Sequence, residues 1–242
     1  AYEIYQCDWS SDVCSSDLRQ FLTGGKMNDK DNLDIIRIDT NAWQQDIGKP
    51  TQIEQVNIEI FPLVPETHPA LRMCLPKFDF KNPPVDPNKF ASSLVETCKK
   101  HNGLGLSANQ CGYEHRVFVM GSGDNYVAFF NPVIVWSSME KSKMEEGCLS
   151  FLDLFLMIER PETIKVNYQD YTGEEKNAQF TGLTARCFQH ELDHMNGVVY
   201  THHAKPLAMQ MTMKKRSKLT ATRQKLRKQL MSKVKNVTKQ RA

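Results

Sequence analysis

His190-Glu191-Leu192-Asp193-His194 restricts the local fold of this chain more than any other stretch. Two histidines four residues apart can grip one metal ion when they sit on a helix, where they share a face about one turn apart. Leu183, Cys187, His190 and His194 recur at helical spacing, and Asn196-Gly197 supplies the left-handed ending that closes many helices. Glu191 is poorly placed to join the ligands, and it can instead take a proton from a water that the metal activates. The pattern points to a hydrolase, although polar residues on a plain helix surface would also satisfy it.

A tetrahedral catalytic zinc or iron site keeps three protein ligands and one open position. Glu146-Gly147-Cys148-Leu149-Ser150 is the best source of the third, since a cysteine beside glycine at a strand end can bring a thiolate to a buried metal. Taken singly, such a cysteine is more often a small buried hydrophobe. Gly103-Leu104-Gly105-Leu106-Ser107-Ala108-Asn109-Gln110 is a loop of small residues ending in an amide. Its glycines would let a substrate backbone approach closely, and Gln110 could donate to a developing oxyanion. A phosphate-cradling loop would need a terminal Gly-Lys-Ser or Gly-Lys-Thr, which is missing.

The rest of the chain supplies a frame for these segments. Prolines from Pro62 to Pro87 predict an extended stretch that hugs the surface. Asp86 can cap a helix that Pro87 opens, with Phe90, Leu94, Val95 and Cys98 on its apolar face and His101-Asn102-Gly103 ending it. Short runs at Val117 to Met120, Tyr126 to Phe130, Val133 to Trp136, Leu154 to Glu159, Ile164 to Tyr168 and Ala178 to Phe180 read as antiparallel strands. The predicted fold is one α+β domain, with antiparallel sheets packed around a central metal-binding helix. Ile53, Val56, Ile58 and Ile60 could add an edge strand, and Leu219, Leu226, Leu230, Val234 and Val237 mark one face of an amphipathic C-terminal helix.

The longest apolar run, Leu152 to Ile158, is short and broken by Asp153, whereas a spanning helix needs roughly 20 apolar residues. No secretory signal pattern opens the chain, so a soluble, cytoplasmic protein is expected. The string from Cys7 to Leu18 resembles the in-frame translation of a short-read sequencing adapter, which makes residues 1–26 an adapter-derived or disordered tail and Met27 a candidate start. Cys74, Cys98, Cys111, Cys148 and Cys187 then remain, widely spaced as reduced cytosolic thiols are.

The three segments in this order resemble peptide deformylase, whose motifs run G-φ-G-φ-[AS]-A-x-Q, E-G-C-φ-S and H-E-φ-D-H, with φ apolar. The resemblance covers roughly Pro62 to His202. It implies a divalent metal, natively Fe(II) and replaceable by zinc, nickel or cobalt, held by Cys148, His190 and His194. It implies Glu191 as general base, with Gln110 and the backbone N–H of Leu149 stabilising the oxyanion. The substrate would be an N-formylmethionyl peptide, its methionine in a pocket of Leu104, Met144, Leu183 and Cys187 and its backbone beside Gly105. Arg186 stands where many relatives have an apolar pocket residue, and Phe155 where many bacterial members place a peptide-binding arginine. Gln189 and Asp193 are candidates for supporting the ligands, and Arg160 matches a family arginine of structural character.

The division expected is a tail at 1–26, an N-terminal extension at 27–60, a catalytic domain at 61–204 and a basic helix at 205–242. From Lys205 onward the chain carries 13 Lys and Arg with no Asp or Glu, leaving 18 basic against 28 acidic residues elsewhere. Bacterial relatives can carry a basic C-terminal helix that docks on the ribosome, and rRNA phosphates would attract this one; a solvated helix packed on its own sheet is the competing reading. Two other functions remain at this point. A zinc endopeptidase also uses H-E-x-x-H but takes its third ligand from downstream. A nucleic-acid-binding protein with a structural metal would leave Glu191 and Gln110 without a role.

Overall fold

Asp86 caps helix α1 (Pro87–Lys100): its carboxylate accepts from the Lys89 N–H at 2.9 Å, and proline occupies the first turn as predicted. The computed structural model describes residues 58–240 and the backbone of Gln6–Asp8, with side chains as far as residue 225. The adapter-like tail and the N-terminal extension otherwise lie outside the described residues. Ile58 and Ile60, the described part of the expected edge strand, belong to no regular element.

In chain order the strands are β1 (Gln6–Asp8), β2 (Gly105–Ser107), β3 (Val117–Ser122), β4 (Asn125–Ser137), β5 (Lys141–Cys148), β6 (Phe151–Pro161), β7 (Thr163–Gln169), β8 (Glu175–Thr181) and β9 (Gly197–Val199). An antiparallel sheet runs in the order β2-β3-β4-β7-β8, β5 and β6 form a long hairpin, and β1 lies parallel to β9. Two runs that read as separate strands are one, β4, interrupted where Asn131 turns to φ 51° and the register with β7 slips. Asn131 pins the kink, accepting from Phe78 N–H at 2.7 Å and donating to Phe78 O at 2.9 Å. Strand β5 escapes a propensity reading because it begins Lys-Ser-Lys. It exists through pairing, with Met144 opposite Ile158 and Cys148 opposite Phe151.

Helix α2 (Gly182–Met195) is the central helix, and every residue from Thr184 to Met195 is buried. Its apolar side is held by Phe188, whose ring centroid lies 5.1 Å from Phe118, 5.3 Å from Phe129 and 5.4 Å from Phe180. Such pairs contribute about 0.5–1.5 kcal/mol each beyond burial. The other side carries Arg186, Gln189, His190, Glu191, Asp193 and His194, which burial tolerates only where each charge or donor is matched. Gly197 ends the helix at φ +80°, and a Cβ there would stand 2.7 Å from Arg72 O, so the backbone demands glycine.

Helix α3 (Pro206–Gln240) runs past β6. Arg216 Nη2 bonds Glu66 Oε2 at 2.6 Å, Arg223 pairs with Asp153, and Met209 packs beside the core cluster of Cys148, Leu154 and Tyr200. Leu219 of the expected stripe is 40% exposed, and the side chains from Leu226 on lie outside the described residues. The described part of α3 is thus moored by Met209 and two arginines rather than by that stripe.

Candidate metal centre

His190 and His194 project from one face of α2 toward the end of β5, where Cys148 meets them. The three donor atoms lie within 4.8 Å of one another, and all three residues are buried. A thiolate with two imidazoles is a donor set for zinc or ferrous iron. Burial, reinforced by the charges of Arg160, His203 and Arg186, holds His190 well below the usual histidine range. The imidazole is therefore neutral, the form a metal ligand requires.

Behind these ligands sits an ionic cluster that joins Asp193 and Arg160, both singled out in the sequence, to Glu146, which was not. Glu146 Oε1 accepts from Arg186 Nη1 at 2.6 Å and Arg160 Nε at 3.1 Å, and its Oε2 lies 3.4 Å from His190 Nδ1. Arg160 reaches on to Asp193 Oδ2 at 2.5 Å, which also meets His203 Nε2 at 3.0 Å. Burial pulls the Arg160 guanidinium down, but Asp193 and then Glu146 outweigh it and raise its pKa. A carboxylate behind a ligating imidazole fixes the ring's orientation and tautomer. The signal for Glu146 was its place two residues before the cysteine.

Arg186 is not a pocket residue. Its guanidinium turns to Glu146, Ile158 O and Ser142 O, at 1% exposure. Gln189 donates to Pro161 O and Ala185 O, both at 3.0 Å, tying α2 to β6 and to its own preceding turn. Phe155 is a half-buried residue of β6.

Glu191 faces strand β2. Its Oε2 accepts from Ser107 Oγ at 2.5 Å, while Oε1 is buried with no hydrogen-bond partner among the described residues. Burial pushes its carboxyl well above the usual range; the Ser107 bond opposes this and the Asp193 charge adds to it. Gly105 lies against the same side chain, and a Cβ there would meet Glu191 Oε1 at 2.3 Å. The glycine thus makes room for the glutamate. Gly105→Ala is expected to lower kcat/KM about a hundredfold, the cost of displacing a reacting group by roughly 1 Å. Steady-state kinetics on the metal-loaded protein measures this, and a loss under threefold would show that Glu191 has room to shift.

Gln110 is fully buried; its Oε1 accepts from Ser107 N–H at 2.9 Å and its Nε2 donates to Ser150 Oγ at 3.3 Å. Asn109 Nδ2 donates to His194 O at 2.9 Å, fastening this loop to the end of α2. Leu149 follows Cys148 in the turn between β5 and β6, its side chain in the cluster of Phe90 and Leu106. Leu104, Leu183 and Cys187 share a second cluster with Phe188, and Met144 stands apart on β5.

Fold and site together define a metal-dependent hydrolase. The polypeptide deformylase family model matches residues 60–210. Peptide deformylase of Brucella suis is 42% identical over 140 residues, covering 56% of this chain and 80% of the relative. That of Thermotoga neapolitana is 44% identical over 123 residues, covering 51% and 74%. The crystal structure of the Thermotoga maritima enzyme superposes with a TM-score of 0.56 at 38% identity, covering 61% of this chain and 99% of that one. The Ehrlichia chaffeensis enzyme in complex with actinonin gives 0.60 at 32% identity, covering 66% and 98%.

The chain belongs to the polypeptide deformylase family. It removes the N-terminal formyl group from formylmethionyl nascent peptides, releasing formate, and the fold is α+β as expected. Nothing supports the endopeptidase alternative, and Cys148 lies upstream of the helix rather than beyond it. Among the described residues no helix is long and apolar enough to cross a membrane.

Proposed function

We propose that Cys148, His190 and His194 hold the metal, that Glu191 carries the proton, and that Gln110 and the Leu149 N–H stabilise the oxyanion of formamide hydrolysis. The observation that carries this reading is the three donor atoms within 4.8 Å, on the same helix as a buried Glu191 oxygen that has no partner among the described residues. When bound, the metal supplies Lewis-acid activation of water and of the formyl oxygen. Glu191 accepts the attacking water's proton and returns it to the leaving amine nitrogen. Burial holds its carboxyl above the usual range, which suits a group that must take up a proton. The Ser107 N–H holds the oxygen of the Gln110 amide, and the NH2 group, which gives one hydrogen to Ser150 Oγ, keeps a second for the oxyanion. One such donor is worth roughly 3 kcal/mol.

Leu104, Leu183, Cys187 and Met144 would form the methionine pocket, with Gly105 as the backbone partner. We assign iron(II) as the native metal, with zinc, nickel or cobalt able to stand in; the thiolate would make a ferrous site oxygen-sensitive. The catalytic unit is assigned to 61–204 and the cytoplasm as its location, where nascent chains emerge. The test is formate release from formyl-Met-Ala-Ser by the Fe(II) or Ni(II) protein. Turnover is expected, and none with metal bound would overturn the assignment.

The basic helix at 205–242 is proposed to dock on the ribosome. Lys214, Lys215, Lys218 and Lys225 make no ion pair among the described residues, which leaves them open to phosphate, whereas Arg216 and Arg223 are tied to Glu66 and Asp153. Deleting residues from Lys214 onward should abolish co-sedimentation with ribosomes at low salt, and high salt should do the same to the full chain. Binding unchanged by the deletion would sink this part alone.

A further inference from the structure

We propose that Ser107 is a positioning residue for the hydrolytic step, its hydroxyl holding the Glu191 carboxylate and its backbone N–H holding the Gln110 amide. This inference rests on the reading of Glu191 as proton carrier. Ser107 Oγ lies 2.5 Å from Glu191 Oε2, and neither residue has any exposed surface. An ionised carboxylate only accepts, so the hydroxyl donates its single proton to Oε2. The terminal torsion of a glutamate is broad, so burial alone would not choose the plane of the carboxylate. Ser107 and Gly105 together make that choice. The hydroxyl captures Oε2, and the bare α-carbon of Gly105 lets Oε1 approach to where a Cβ would stand 2.3 Å away.

The same residue sets the second group. Ser107 N–H donates to Gln110 Oε1 at 2.9 Å, which decides the orientation of the amide plane and puts its NH2 on the far side. One residue of strand β2, locked in register opposite Phe118 of β3, therefore positions both side chains assigned to proton transfer and oxyanion stabilisation. The family motif accepts alanine as well as serine at this position, so Ser107→Ala keeps a backbone and volume that the fold tolerates.

The experiment compares Ser107→Ala, Glu191→Gln and the double variant as metal-loaded full-length proteins, measuring formate release, metal content and Tm. Ser107→Ala is expected to lower kcat about tenfold, in keeping with loss of a charge-assisted hydrogen bond. KM should stay within about twofold, with metal content and Tm unchanged, and adding Ser107→Ala to Glu191→Gln should cost nothing further because no proton carrier is left to position. An unchanged kcat in Ser107→Ala, a loss that follows metal content or Tm, or an equal loss in the Glu191→Gln background would each overturn the inference. Wild-type turnover by Glu191→Gln would remove the reading it rests on, and the inference with it. An inactive Glu191→Gln beside a fully active Ser107→Ala would remove the inference alone.

Discussion

Glu191→Gln is expected to lower kcat for formate release by about a thousandfold, within the range that a positioned acid–base group contributes. The substitution keeps the shape of a fully buried side chain and still offers an acceptor to Ser107, so the fold and the metal should stay in place. What it removes is the ability to take a proton and return it to the amine. KM should change little, because proton transfer belongs to the transition state rather than to substrate binding. Formate release at saturating substrate, with metal content measured on the same sample, checks it. A variant within tenfold of wild type at full metal occupancy would show that the proton travels another way.

Glu146→Gln is the largest expected stability effect. In the wild type one carboxylate answers two buried guanidinium groups, Arg160 and Arg186, with side-chain exposures of 6% and 1%. Removing its charge leaves Arg186 with carbonyl and hydroxyl partners, while Arg160 keeps its ion pair with Asp193. Breaking a buried pair in this way costs about 3–5 kcal/mol, since an uncompensated charge stays inside. The same carboxylate stands 3.4 Å from His190 Nδ1, so metal affinity should fall about 10- to 100-fold. Urea unfolding and chelator competition measure the two effects separately. Unfolding within 1 kcal/mol of wild type would mean that water reaches the arginines and that the cluster is not sealed.

The cluster also shows why part of the site was hidden in the sequence. Cys148, His190 and His194 were legible because a metal demands particular donor atoms at particular spacings, and those demands survive in one dimension. Arg186 could be noted only as a departure from an apolar position, because its place on α2 is the same whether its side chain lines a pocket or turns away; β5 and β6, which bring Glu146 and Ile158 O to it, decide. Ser107 belonged to a recognisable motif, yet its bond to Glu191 spans 84 residues and no local pattern encodes it. Strand β4 was read as two because Asn131-Pro132 resembles a break. The chain continues the sheet through the kink because Asn131 bonds Phe78 and Gln169 across it.

Sequence alone supplied the candidate groups: a thiolate, two imidazoles, a carboxylate and an amide, with the imidazoles and the carboxylate on a helix whose type could be read from its spacing and its ending. These are properties of residues within a few positions of one another. Tertiary structure alone decided how the groups face each other: how Ser107 holds the Glu191 carboxylate, how it turns the Gln110 amide, and which buried charges answer Arg160 and Arg186. Those choices depend on distances between strands and a helix far apart along the chain, and they are settled only when burial strips the water that would otherwise satisfy every polar group equally.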